Sequence, residues 1–306
     1  MAESEAMRDP AQSPKRAPRF SVVVPAYNEA AYIGYALQAL QRQDYVGDYE
    51  IVVVDNNSTD GTGEIAASYG VTVVAEKTPG VCAARQRGTA EARGEIVVST
   101  DADTVQPANW LTRINASFTA GDDVVGVAGP CRYGQPSWWA DRYPKILFGA
   151  VARIFALTGR VLYISATNTA FRRSAFSGYD TTMTQGGDEL DLLRRLRHHG
   201  RVVWDRTNVV TTSARRLQNG LFYNLFVSFF CYYLLAYLLN RISSHRLIGI
   251  APAFREDRRA QMRKVPAWVN WRITATFVVA ATAVSLGLMR FAPLALSTLV
   301  RYWSEP

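Results

Sequence analysis

The chain has 306 residues, 34 of them basic and 26 acidic, so its formal net charge is +8. Hydrophobic residues make up 48% and there are only three cysteines, which excludes a disordered, collagenous or disulfide-stapled chain and leaves room for a large core. A basic surplus invites a nucleic-acid reading, so its location along the chain decides between partners.

Residues 1–19 carry Pro10, Pro14 and Pro18 among mixed charges with no apolar stretch, the pattern of a disordered tail without a secretory signal. Phe20–Pro25 (FSVVVP) is a β-branched run of the kind buried in parallel sheets. Ile33, Ala36, Leu37 and Leu40 recur at helical spacing, with Asn28 as the expected cap. Glu50–Val54 is a second buried strand, followed by the turn-rich Asp55–Thr62 (DNNSTDGT). Val71–Ala75 reads as a third strand, Val81–Ala92 as a helix, and Glu95–Ser99 as a fourth strand running into Thr100-Asp101-Ala102-Asp103. Trp110, Leu111, Ile114 and Phe118 mark another helix face, and Val124–Ala128 another strand. This alternation predicts an α/β fold with a doubly wound, mostly parallel sheet.

In such sheets ligands bind beyond the carboxyl ends of the strands. A dinucleotide site needs a glycine-rich turn after the first strand. Here that turn reads Ala26-Tyr27-Asn28-Glu29, so NAD and FAD are disfavoured. Asp55 follows the second strand, and Asp101 and Asp103 follow the fourth. Two aspartates one residue apart share an open cleft only where the backbone leaves β alternation. Their hard oxygens suit Mg²⁺ or Mn²⁺, although turns are themselves rich in Asp, and the pair alone stands equally well as turn chemistry. Asp60 reads as turn chemistry. The run Arg194, Arg195, Arg197, His198 and His199 before Gly200 reads as a helix C-terminus offsetting its dipole. Trp138, Trp139, Tyr143, Phe148 and Phe155 fit either core or an aromatic acceptor surface.

The charge surplus lies in the last third. Residues 1–215 balance at 23 basic and 23 acidic side chains, whereas residues 216–306 carry 11 basic against 3 acidic. The same third holds two charge-free apolar runs, Leu221–Leu239 and Ile273–Met289. Basic clusters beside apolar runs match a cytoplasmic membrane face and argue against a nucleic-acid groove. A single span at 221–239 would put the basic loop 240–272 on the wrong side of the membrane, so 221–239 is read as interfacial or re-entrant and about 273–299 as transmembrane. Cys82, Cys131 and Cys231 are too widely spaced for a metal motif or a disulfide framework.

Taken together, VVVPAYNEAAYI (22–33), IVVVDNNSTDGT (51–62), GVCAARQRGTAEARGEIVVSTDADT (80–104), ATNTAFRRSAF (166–176) and GGDELDLLRRLRHHGRVVWD (186–205) resemble the family 2 inverting glycosyltransferases of the GT-A fold. The resemblance spans residues 20–216 and implies a glycosyltransferase domain there, with a membrane-associated helical region at 217–306. It implies that Pro25, Ala26, Asn28 and Glu29 frame a nucleotide pocket with Asp55 at its base, and that Arg85 sits beside a diphosphate. It makes Asp101 and Asp103 the D-x-D pair, with Asp103 on the metal. Asp188-Glu189 stands where the family carries its catalytic acidic pair in the order Glu-Asp. Aligning on Leu190-Asp191-Leu192 favours Glu189 as the base over Asp188. The resemblance also implies that Ser213-Ala214-Arg215-Arg216 serves as a second, weaker diphosphate clamp.

These parts fit one chemistry. A departing nucleoside diphosphate builds negative charge, which a cation stabilises, and an acceptor hydroxyl needs a carboxylate to take its proton. The expected protein is therefore a metal-dependent enzyme at the cell membrane, with its catalytic domain in the cytoplasm and a nucleotide-diphosphate sugar as donor. Membrane attachment favours a lipid-linked or envelope-glycan acceptor. Two rivals remain: a nucleotidyltransferase, which would want a glycine-rich basic loop after the first strand, and a membrane-anchored assembly subunit with a degenerate transferase domain. A processive synthase is disfavoured because its Q-x-x-R-W pattern is absent.

Overall fold

A computed structural model describes residues 17–134, 138–181 and 188–215. The chain divides into two compact units, Met1–Ala251 and Pro252–Pro306, and every described residue belongs to the first. Residues 1–16 of the tail, Arg216 and the apolar runs 221–239 and 273–299 lie outside the described residues. Among the described residues, no helix is long and apolar enough to cross a membrane.

The β-branched runs form the centre. Strand β1 (Phe20–Ala26) pairs in parallel with β2 (Tyr49–Asp55) on one side and β4 (Ile96–Ser99) on the other. Strand β3 (Thr72–Ala75) extends the parallel edge beyond β2. Beyond β4 the sheet continues through β8 (Thr169–Arg172), β6 (Val124–Ala128) and β9 (Arg201–Trp204), giving the order β3-β2-β1-β4-β8-β6-β9. Only β8 is antiparallel to its neighbours. Val22, Val24, Val52, Val53, Val54, Val97 and Val98 are all buried, as required of strands covered on both faces.

The helices follow the apolar spacing. Helix α1 (Ile33–Gln41) buries Ile33, Ala36, Leu37 and Leu40, and α4 (Trp110–Thr119) buries Trp110, Leu111, Ile114 and Phe118. Helix α2 (Thr62–Ser68) is a short crossover, and α3 (Val81–Glu91) lies against β1 and β2. Gly88 allows that approach: a Cβ there would stand 2.4 Å from Val23 Cγ1 and 2.9 Å from Val54 Cγ2. Helix α5 (Trp138–Thr158) and helix α6 (Asp188–Arg197) complete the set. Phe148 is buried and stacks on Trp204 with centroids 5.7 Å apart, so this aromatic belongs to the core.

A second, three-stranded sheet begins just after the turn that follows β4. It pairs β5 (Thr104–Val105), β10 (Val210–Thr212) and β7 (Cys131–Tyr133) in the order β5-β10-β7. Thr212 opposite Thr104 fixes the register, so the chain leaving β10 passes Asp103, and the Ser213 amide donates to the Asp103 carbonyl at 3.2 Å. Asn168 anchors the region where both sheets meet. Its Oδ1 accepts from Trp110 Nε1 at 2.8 Å, and its Nδ2 donates to the carbonyls of Pro130 and Asn208 at 3.0 and 2.7 Å.

Asn28 does not cap α1. The helix begins after Tyr32 with no side-chain cap. Asn28 instead adopts φ 50 and accepts from the Thr59 amide at 2.8 Å, while its own amide donates to Ser58 Oγ at 2.9 Å. Its side chain joins the loops after β1 and β2, because Asn tolerates the left-handed region that this turn needs. Asp60 does act as a turn residue, accepting from the Thr62 amide at 3.1 Å and from the Thr62 hydroxyl at 2.5 Å. Cys82 and Cys131 are buried, and neither forms a disulfide among the described residues.

Candidate active site

The parallel register brings the ends of β1, β2 and β4 together: Ala26 stands opposite Asp55, and Val23 opposite Ser99. Beyond β1, the Glu29 amide donates to Thr62 Oγ1 at 2.8 Å, tying that turn to the start of α2. Asp55 closes β2, and its Oδ1 accepts from the Ser58 amide at 3.0 Å. Gly63 leaves it room, since a Cβ there would lie 2.7 Å from Asp55 Oδ2. Asn56 was not singled out in the sequence. It is buried, donates to the carbonyls of Glu76 and Thr78 at 2.8 and 2.7 Å and accepts from the Gly80 amide at 2.9 Å.

After β4 the backbone turns, with the Thr104 amide donating to the Asp101 carbonyl at 3.1 Å. The turn buries Ala102 and leaves both aspartates partly open, which is the departure from β alternation that a D-x-D pair requires. Asp101 accepts from Thr167 Oγ1 at 2.6 Å and from Arg85 Nη2 at 3.2 Å. Asp103 accepts from Thr212 Oγ1 at 3.2 Å and from Arg215 Nη2 at 2.7 Å.

Arg215 spans the mouth of this region. Its Nη2 also donates to both oxygens of Glu29, at 2.7 and 2.9 Å, and its guanidinium carbon lies 4.3 Å from the Tyr32 ring centroid. Burial works against its charge, but the bonds to Glu29 and Asp103 outweigh burial and hold the guanidinium firmly protonated. The structure thus brings Glu29, Asp103 and Arg215 together. Arg216 lies outside the described residues.

The acidic pair opens α6, where carboxylates suit the N-terminal end of the helix dipole. Asp188 is buried and takes Arg85 Nη1 at 2.5 Å. Glu189 Oε2 is enclosed with no hydrogen-bond partner among the described residues. Its carboxyl is pushed well above the ordinary range by burial and then by the adjacent Asp188 charge, with Arg85 pulling in the opposite direction. Further along the helix, Asp191 is buried and paired with Arg195 at 2.6 Å, so the basic run ending α6 is structural, at least at Arg195.

Arg85 is 5% exposed and lies between the two acidic groups. It therefore stands with Asp101 and Asp188, while Pro25 and Ala26 end β1 beside Val54 and Asp55, and Asn28 and Glu29 are tied to the segment after β2. Chemically, the cleft offers acceptor-only oxygens at the end of β4, a cation poised over one of them, and a second carboxyl pair across Arg85. Among the described residues, no three His, Cys, Asp or Glu side chains already cluster as a metal cage. The donor set nevertheless fits a hard cation: Asp103 presents a carboxylate whose Oδ2 already holds a positive group.

The model of Glycosyl transferase family 2 matches residues 21–179 of the chain. Glycosyltransferase AglE of Haloferax volcanii is 34% identical over 134 residues, covering 41% of this chain and 44% of that protein. An undecaprenyl-phosphate 4-deoxy-4-formamido-L-arabinose transferase of Edwardsiella ictaluri is 32% identical over 142 residues, covering 44% of this chain and 43% of that protein. The chain thus spans under half the length of these curated relatives. Among solved structures, mannosyltransferase PcManGT from Pyrobaculum calidifontis, in complex with GDP-Man and Mn²⁺, superposes with TM-score 0.58 at 24% identity, covering 96% of this chain and 87% of that one. The glucosyl-3-phosphoglycerate synthase from Mycobacterium tuberculosis, in complex with Mn²⁺, UDP and its product, gives 0.55 at 22% identity, covering 77% and 84%. At such identities the likeness carries the fold, a GT-A-like α/β arrangement around a mostly parallel sheet.

Proposed function

The chain belongs to glycosyl transferase family 2, and on that premise we propose that it moves a sugar from a nucleoside-diphosphate donor to an acceptor oxygen with inversion at the anomeric carbon. One observation carries this reading: the D-x-D carboxylates and the α6 acidic pair converge on one cleft at the carboxyl ends of β1 and β4, joined through Arg85. Pro25, Ala26, Asn28, Glu29 and Asp55 frame the nucleotide in this reading. Asp103, with Asp101 beside it, would hold Mg²⁺ or Mn²⁺, and a bound cation supplies charge stabilisation for the departing diphosphate. Arg215 is already a cation at that position, and on nucleotide binding it exchanges Glu29 and Asp103 for diphosphate oxygens, with Arg216 beside it. Positioned donors of this kind lower the barrier by meeting charge where it develops.

The acceptor hydroxyl loses its proton as it attacks, and Glu189 is the base in this scheme, with Asp188 next to it. A raised carboxyl pKa suits that task, because proton transfer is most effective near the working pH. No covalent sugar–enzyme intermediate is needed. Similarity to an undecaprenyl-phosphate 4-deoxy-4-formamido-L-arabinose transferase supports a lipid-linked acceptor and envelope glycan synthesis. Membrane attachment through residues 217–306, with the domain at 20–216 in the cytoplasm, is part of the same proposal. An acceptor arriving as a phosphate monoester would already be ionised and would need no base, so Glu189→Gln separates the two: it abolishes transfer to a hydroxyl and spares transfer to a phosphate.

The test is a thermal-shift screen of UDP-, GDP- and dTDP-sugars with Mn²⁺, with Mg²⁺ and with neither, followed by detection of released nucleoside diphosphate. At least one metal–nucleotide pair should stabilise the protein. Absence of stabilisation by every pair would overturn the enzyme reading.

A further inference from the structure

Helix α3 directs one guanidinium into the protein interior and gives it two anionic partners from distant parts of the chain. Arg85 Nη1 meets Asp188 at 2.5 Å, 103 residues away, and Nη2 meets Asp101 at 3.2 Å, 16 residues away. Its Nε is also enclosed, without a partner among the described residues. Gly88, one turn further on, keeps α3 flat against Val23 and Val54 and so sets the depth of Arg85 under the cleft. Asp101 continues the chain of contacts to Thr167 at 2.6 Å. The network therefore runs from α6 through α3 to the end of β4 and the turn before β8.

A residue that clamps a diphosphate must offer N–H groups to the cleft. The ion pairs of Arg215 all run through Nη2, and its side chain is 13% exposed, whereas both Nη groups of Arg85 are committed to carboxylates of this chain and its side chain is 6% exposed. We propose that Arg85 is a positioning residue that fixes the acidic pair of α6 relative to the D-x-D turn and does not bind the donor's diphosphate. This rests on the glycosyltransferase reading above. Asp188 and Glu189 are neighbouring carboxyls, and two such groups cannot both carry charge in a buried site without a compensating cation. The groups facing Arg85 are Asp188 and Glu189 from α6, Asp101 from the end of β4, and Tyr179 from the segment ahead of α6; Cys82 lies on α3 itself. Arg85 is the cation of this set. A planar fork with donors in fixed directions bridges two carboxylates, whereas a lysine ammonium satisfies only one of them well.

Arg85→Lys and Arg85→Gln separate the roles. Titration calorimetry of UDP and of GDP, each with Mn²⁺, gives nucleotide affinity, and release of nucleoside diphosphate at saturating sugar donor gives turnover. Affinities within about threefold of wild type are expected in both variants. Turnover is expected to fall about 100-fold in Arg85→Gln and about tenfold in Arg85→Lys, within the range for loss of acid–base function. A loss of nucleotide affinity beyond about 30-fold with turnover spared would make Arg85 a diphosphate ligand and overturn the proposal. Unchanged turnover with only a lower Tm would make the contact purely structural and overturn it equally. If Arg85→Gln does not fold, Arg85→Lys and Asp188→Asn are read by the same split. A wild type that binds neither nucleotide removes the glycosyltransferase reading and this inference with it, whereas a wild type that binds while the variants do not overturns this inference alone.

Discussion

Asp188 and Glu189 are adjacent, yet their amide substitutions should move stability in opposite directions. Asp188 pairs with Arg85 in a contact whose side chains are 5% and 6% exposed, so solvent screening is slight. Breaking a buried pair by removing one partner costs about 3–5 kcal/mol. Arg85 keeps Asp101, which reduces the expected loss to about 2–4 kcal/mol for Asp188→Asn. For a unit of this size each kcal/mol moves Tm by about 2–4 °C, so a drop of roughly 5–15 °C is expected. Glu189 behaves differently. Its folded carboxyl lies well above the ordinary value of 4.5, first through burial and then through Asp188. A group of that kind favours the fold at low pH and loses its contribution as pH rises from 4.5 towards the folded value. Glutamine matches the protonated form in shape and carries no charge to bury. Glu189→Gln should therefore raise Tm at pH 8 and be indistinguishable from wild type at pH 4. Differential scanning calorimetry of both variants at the two pH values tests this. Shifts of the same sign at pH 8, or a Glu189→Gln effect independent of pH, would refute the reasoning.

Other substitutions test neighbouring parts. Asp103→Ala should remove the Mn²⁺-dependent part of nucleotide stabilisation in thermal-shift assays while leaving far-UV circular dichroism unchanged. Arg215→Gln should weaken nucleoside-diphosphate binding by about tenfold or more in calorimetry, as expected for the loss of charge-assisted hydrogen bonds. Gly88→Ala should cost about 1–3 kcal/mol in denaturant unfolding, because its Cβ would stand 2.4 Å from Val23 Cγ1. Asn168→Ala should cost about 2 kcal/mol or more, since it leaves Trp110 Nε1 and the Asn208 carbonyl without their partner, while the Pro130 carbonyl keeps the Val210 amide.

The parallel half of the fold was legible because fully buried strands must be apolar on both faces, and β1, β2, β4 and β6 announce that directly. Helices α1 and α4 were legible from their periodic apolar face. The second sheet was not: Thr104–Val105 and Val210–Thr212 are too short and polar to show alternation, and they are strands through their pairing with each other and of β10 with β7. The antiparallel insertion of β8 was equally silent, since a strand's direction leaves no mark in its composition. In the site, the aspartates were visible as strand-end acids. The partners of Arg85 were not, because a contact spanning 103 residues has no local signature. Asn28 shows the opposite failure, a good helix-cap residue recruited by a neighbouring loop.

Arg215 meets Glu29 across 186 residues of sequence and Asp103 across 112. Contacts of such separation are slow to form, because loop entropy must be overcome before they stabilise anything. During synthesis the parallel strands and the D-x-D turn emerge long before the residue that closes over them. The cluster of Glu29, Asp103 and Arg215 can therefore close only once residues 20–215 have all been made.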